Sequence, residues 1–208
     1  MRFAHLESEC VPSYPSRVTP GLVVTRRLIR WLRGRPSTTK STAALWAKSL
    51  IDTVLFFSVF MVALPWLAHR LLPELLPLPP LLRTWGGAVL LAVGVGGWIA
   101  CLDAFTRRGR GTPFQQEAPS RLVTDGLFGV VRNPIIVSEL MVIWGEALYV
   151  ASLGVVVYAI AVCVGGHLIV LYIEEPELRR RFGESYDVYC QNVPRWFPKL
   201  RPNRSMGQ

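Results

Sequence analysis

Apolar residues in this 208-residue chain gather into four long runs instead of alternating with polar ones. The first, residues 50–72, centres on VLFFSVFMVALPWLA. Asp52 and His69 fall near its ends, where polar tips can reach an interface, and Pro65 is expected to kink it. The second run is 85–102, the third 134–150 and the fourth 154–173. A helix needs roughly 20 residues to cross a ~30 Å hydrocarbon core. The fourth run meets that length; the third, about 24 Å long at 1.5 Å per residue, is short. Uncharged residues 151–154 between them predict a tight helical hairpin at the far membrane surface. The expected fold is all-α: a polytopic membrane bundle of about four transmembrane helices, the last two forming a hairpin. A helical segment over 174–198 follows on the cytoplasmic side. The membrane domain then covers 49–208, preceded by a basic tail, 1–48.

Charge supports that division. Lys and Arg number nine in residues 1–48, five in 103–133 and seven in 174–208, but one in 73–84. With four spans the three basic segments share one side, and the positive-inside rule makes both termini cytoplasmic. Within the tail, 22–33 (LVVTRRLIRWLR) puts Leu28, Ile29 and Leu32 on one face and four arginines on the other. It predicts an interfacial helix on anionic lipid, with a solvated basic tail as the competing reading. Residues 1–20 are rich in Pro and Ser, are expected to be disordered, and lack the apolar core of a signal peptide.

Composition narrows the class. The chain is 51% hydrophobic and 18% charged, with a net charge of +9, whereas a soluble domain carries about 25% charged residues. Cys10, Cys101, Cys163 and Cys190 are widely spaced, which excludes a recognisable zinc or redox motif. Basic and aromatic residues do not interleave on a folded surface, so no nucleic-acid partner is expected. Gly86, Gly87, Gly94, Gly96 and Gly97 lie inside an apolar run. That context fits close helix packing and not a phosphate-binding loop.

Some charges sit where the bilayer makes them costly. Glu139 and Glu146 lie in the third run, seven residues apart and so on one helical face. His167 and Glu174 stand seven apart in the fourth, and Glu175 follows directly. Ionisable residues in a span usually face a cavity and mark function; ordinary buried pairing is the alternative. Glu174, Glu175 and Glu177 at a helix C-terminus also oppose the macrodipole, which favours a cation or arginine partner. Arg179–Arg181 lie one turn away. Arg132-Asn133-Pro134 predicts a helix start, with Asn133 as its cap and Pro134 at the first position. Such an N-terminus offers free N–H groups to an acceptor-rich ligand. Gly183 is a candidate helix end, and Tyr186, Tyr189, Trp196 and Phe197 predict an aromatic lid or an interfacial belt.

Six fragments occur in order: Thr-Pro (112–113), Leu-Val-Thr-Asp-Gly (122–126), Val-Arg-Asn-Pro (131–134), Glu-Glu-Pro-x-Leu (174–178), Arg-Phe-Gly-x-x-Tyr-x-x-Tyr (181–189) and Val-Pro-Arg (193–195). Over about residues 85–198 the chain resembles the isoprenylcysteine carboxyl methyltransferase family and its phospholipid methyltransferase relatives. The resemblance implies an integral membrane enzyme using S-adenosylmethionine. It implies a cofactor site at Ser120, Arg121, Leu122, Val123, Phe128, Asn133, Pro134, Ile135, Ile136 and Glu174, with His167 beside it. Glu175 and Arg180 are implied next to the reacting groups, and no metal is implied. The expected partners are the bilayer and a lipidic or small apolar methyl acceptor. The chain departs from the resemblance at Asn133, where many members have histidine, and at Ile136, where they have tyrosine. Val170 stands where eukaryotic members carry an arginine tied to the substrate carboxylate. Two other classes fit the span pattern: an NADPH-dependent sterol-reductase-like enzyme, and a non-enzymatic carrier using Glu139, Glu146 and His167.

Overall fold

The computed structural model describes residues 41–113 and 119–198. The predicted interfacial helix over 22–33 lies outside them. The described residues form five helices and no sheet; one antiparallel bridge joins Leu75 and Ser152. Helix α1 is Thr42–Leu71, α2 is Leu82–Gly109, α3 is Pro134–Val150, α4 is Leu153–Phe182 and α5 is Glu184–Asn192. Helices α1, α2 and α4 are long and apolar enough to cross a membrane. The third apolar run coincides with α3, which at 17 residues is shorter.

The bundle is built inside out for a lipid surrounding. Ile51, Leu55, Val62 and Val93 point outward, while Ser49, Thr106 and Ser138 are buried. Such helices cannot rely on excluding water from one another, so small residues must let their backbones approach. At Gly94 an added Cβ would stand 2.7 Å from the Ser138 carbonyl oxygen and 2.8 Å from Val142 Cγ2. Here α2 and α3 meet backbone to backbone.

The first four helices run alternately up and down. At one end, the α1–α2 connection pairs with the α3–α4 turn: Leu76 N–H donates to Ala151 O at 2.7 Å, and Leu153 N–H to Glu74 O at 2.9 Å. Ala151 takes a left-handed conformation (φ 54°), which makes the hairpin turn tight. His69 Nδ1 meets the buried Ser152 hydroxyl at 2.9 Å. A side chain at Gly154 would collide with the Ala68 carbonyl. The other end collects the start of α1, the end of α2, the start of α3, the end of α4 and all of α5.

Two prolines act through widened turns. Pro65 follows a π-helical stretch, Phe57–Ala63, in which Leu64 N–H reaches back five residues to Val59 O. Pro176 follows another, Val170–Glu174, in which Glu175 N–H reaches Val170 O. Proline removes a donor and clashes with the carbonyl four residues back, and an inserted residue relieves both. Helix α4 therefore continues nine residues past the end of the fourth apolar run, where a charged sequence masks it. Gly183, at φ 54°, ends it. Gly94→Leu is expected to push α2 from α3 and lower stability in detergent by about 1–3 kcal/mol. Gly96→Ala, whose Cβ meets nothing within 4 Å, should leave it unchanged or higher. Equal melting temperatures for the two variants would contradict the packing.

Candidate active site

The polar end of the bundle holds a cavity of about 1000 Å³ of empty space, partly open to solvent. Its floor is the start of α3, its wall the end of α4, and its roof the 119–128 segment with α5. The lining is mostly apolar, with a few charged groups converging on it.

The segment before α3 supplies Arg121, Leu122, Val123 and Phe128. It is pinned by Ser120 N–H to Gly109 O at 2.9 Å and by Arg108 to Asp125 at 2.5 Å. Phe128 packs on Phe105 with ring centroids 4.9 Å apart. Helix α3 contributes Asn133, Ile135 and Ile136 at its first turn. Helix α4 contributes Glu174, Glu177 and Arg181. The Arg181 guanidinium also donates to the Pro119 carbonyl, tying wall to roof. Glu174 makes no hydrogen bond or ion pair among the described residues.

Of the residues implied for the cofactor, Arg121, Leu122, Val123, Phe128, Asn133, Ile135, Ile136 and Glu174 line this one space. The Asn-Pro turn and the paired glutamates therefore meet. Ser120 and Pro134 stand just outside: Ser120 holds the loop, and Pro134 is buried with its carbonyl accepting from Ser138 Oγ at 2.7 Å. His167 does not line the cavity. It accepts from Trp196 Nε1 at 3.1 Å. The expectation that His167 and Glu174 share a face fails because the π turn between them adds a residue and rotates the rest of the helix.

The two residues implied beside the reacting groups lie on different faces of the last α-helical turns, Glu175–Phe182. Arg180 points to solvent and pairs with Glu177 at 2.5 Å; its neighbour Arg181 lines the cavity instead. Glu175 is buried behind the wall. Arg195 donates to both its oxygens, at 2.7 and 2.9 Å, and Arg132 NH1 donates to Oε1 at 3.1 Å. Glu175 is thus a brace between guanidiniums and not a free base. Asn133 does not cap α3 with its side chain; its amide donates to Arg195 O at 3.3 Å.

Three lining residues were not among those implied for the site. Arg132 lines the cavity with its Nε buried and without a partner. Tyr186 and Tyr189, expected in a lid or belt, lie in a small core with Cys190 and Val193. Tyr189 OH donates to Phe128 O at 2.6 Å. Burial pushes both phenols up from their ordinary range. It also pushes the Cys190 thiol up, against the pull of Arg132, whose NH1 lies 2.9 Å from the sulfur. Cys190 therefore stays neutral and does not offset the arginine. Cys101, Cys163 and Cys190 form no disulfide, and no metal-ligand cluster occurs among the described residues.

The family signature of phospholipid methyltransferases matches residues 82–185, half of the chain. The chain belongs to the phospholipid methyltransferase family. Members are membrane methyltransferases. None of the curated proteins matches the chain. The matched segment holds α2, α3, all of α4 and most of the cavity wall. Helix α1, Tyr186, Tyr189 and the strap over 193–197 lie beyond the phospholipid methyltransferase segment.

Deeper in the bundle, Glu139 accepts from Trp98 Nε1 at 3.2 Å, and Glu146 Oε2 is buried without a partner. Neither reaches the cavity. Glu175→Ala is expected to leave two guanidiniums at a buried site, costing about 3–5 kcal/mol. Thermal unfolding in detergent measures this; a loss near that of an exposed pair, below about 1 kcal/mol, would contradict the brace.

Proposed function

We propose that this membrane methyltransferase takes its methyl group from S-adenosylmethionine and delivers it to a lipidic or small apolar acceptor. The observation that carries this reading is the convergence of Glu174, the Asn133–Pro134 helix start and Arg132 on one cavity at the end of apolar helices. The donor set suits the cofactor. Glu174 is an unpaired carboxylate, suited to an ammonium or to ribose hydroxyls. Arg132 and the backbone N–H groups opening α3 suit a carboxylate. Phe105, Phe128, Tyr186 and Tyr189 offer flat apolar surface to a purine.

Bound there, the cofactor supplies an electrophilic methyl group on a sulfonium sulfur. The chain's own work is positioning: aligning two reactants in one site is worth about 7–11 kcal/mol. The apolar walls from Ile136, Ile173 and Leu178 exclude water from the reacting end. A carboxylate acceptor needs no base. An amine acceptor must arrive neutral, and Glu174 is the carboxylate placed to take its proton. Acceptors reach the cavity sideways between helices, because its walls continue into the lipid-facing surface. Both termini are cytoplasmic in this reading, with α3 spanning as part of the hairpin.

Glu174→Gln is expected to weaken binding of S-adenosylhomocysteine by about tenfold or more while the chain remains membrane-inserted. Titration calorimetry on the purified protein reads the affinity; an unchanged constant would remove Glu174 from the site. NADPH binding without S-adenosylhomocysteine binding would overturn the whole reading. Incubation of membranes with methyl-labelled cofactor then identifies the acceptor by which lipid or small molecule becomes labelled.

A further inference from the structure

Behind the cavity wall lies a buried cluster of charged side chains. The Arg132 and Glu175 side chains are 7% and 8% exposed and that of Arg195 is 24% exposed. Two guanidiniums converge on the Glu175 carboxylate. Arg132 also lines the cavity, with its Nε buried and unpartnered, and a buried donor in that state is costly unless an acceptor meets it. Arg195 holds Glu175 with two short bonds, against the one longer bond from Arg132.

We infer that Arg195 is a positioning residue: by occupying Glu175 it leaves the Arg132 guanidinium charged and turned to the cavity, where it binds the carboxylate end of the methyl donor. This rests on the donor site proposed above. Without Arg195, both Glu175 oxygens fall to Arg132. The guanidinium is then drawn from the cavity into a bidentate pair with Glu175. The strap itself does not depend on the Arg195 side chain, since Arg132 N–H donates to Pro194 O at 2.8 Å and the Asn133 amide to Arg195 O.

The test compares two ligands on the purified full chain. S-adenosylhomocysteine carries the amino-acid carboxylate; 5′-methylthioadenosine keeps the nucleoside and thioether without it. Arg195→Ala is expected to weaken the first by about tenfold or more and the second by less than about twofold. Arg195→Lys, which keeps the charge on Glu175, should recover most of the loss. Equal weakening of both ligands would make Arg195 a general structural support and overturn the inference, as would no change in either. If the unaltered chain binds neither ligand, the donor-site reading fails with it. If it binds both and Arg195→Ala does not separate them, the positioning role alone fails.

Discussion

The Glu175 carboxylate joins three stretches far apart in the sequence: the turn before α3, the last third of α4 and the strap after α5. Arg132 and Arg195 both donate to it, and the surrounding backbone bonds follow the same seam. Were the carboxylate absent, two like charges would face each other in a poorly hydrated space. The start of α3 and the end of α4 would then lose the contact that sets their spacing. The cavity lies between them, so its shape depends on this one acid. A buried ion pair is not by itself a strong stabiliser. Its effect here is to specify which polar ends meet.

The rest of the molecule serves that junction through apolar helices packed by small residues. Backbone contact between α2 and α3 at Gly94 makes a rigid pair, and the α1–α2 connection closes over the α3–α4 turn at the far end. Loops at the hairpin end carry few charges and short bonds; the opposite end carries the arginines, the cavity and the aromatic sub-core. Two π turns, each ahead of a proline, rotate the polar side chains of α1 and α4 relative to the apolar faces below. In α4 that rotation sends Glu174 to the cavity and Glu175 to the arginines. Adjacent acids thus take different tasks, one free to meet a ligand and one committed to the scaffold.

Much of this was legible in the chain. Uninterrupted apolar runs mark where α1 to α4 lie, because no soluble fold hides so many Leu, Val and Ile in sequence. Glycines within the second run pointed to close packing, and the Asn-Pro turn and Glu-Glu-Pro fragment pointed to one site. What was missed has a physical reason in each case. The charged end of α4 was expected as a helix ending at Gly183, but as a segment apart from the span, because its composition breaks with the apolar run. A π turn leaves no mark in residue spacing, so a 3.6-residue period set His167 on the face of Glu174, while Arg180 in place of Arg181 came from the positional resemblance. Arg132 was not picked out because its side-chain partners, Glu175 and Cys190, are 43 and 58 positions away. Tyr186 and Tyr189 matched an interfacial composition, yet the strap buries them.

The central claim is that the cavity between the first turn of α3 and the end of α4 is where the methyl donor sits. Ultraviolet cross-linking of labelled S-adenosylmethionine to the full chain in membranes, followed by peptide mapping, tests it directly. The account places the label within residues 119–136 and 173–189. Label confined to α1 or to the hairpin end, or a label that excess S-adenosylhomocysteine does not displace, would contradict it.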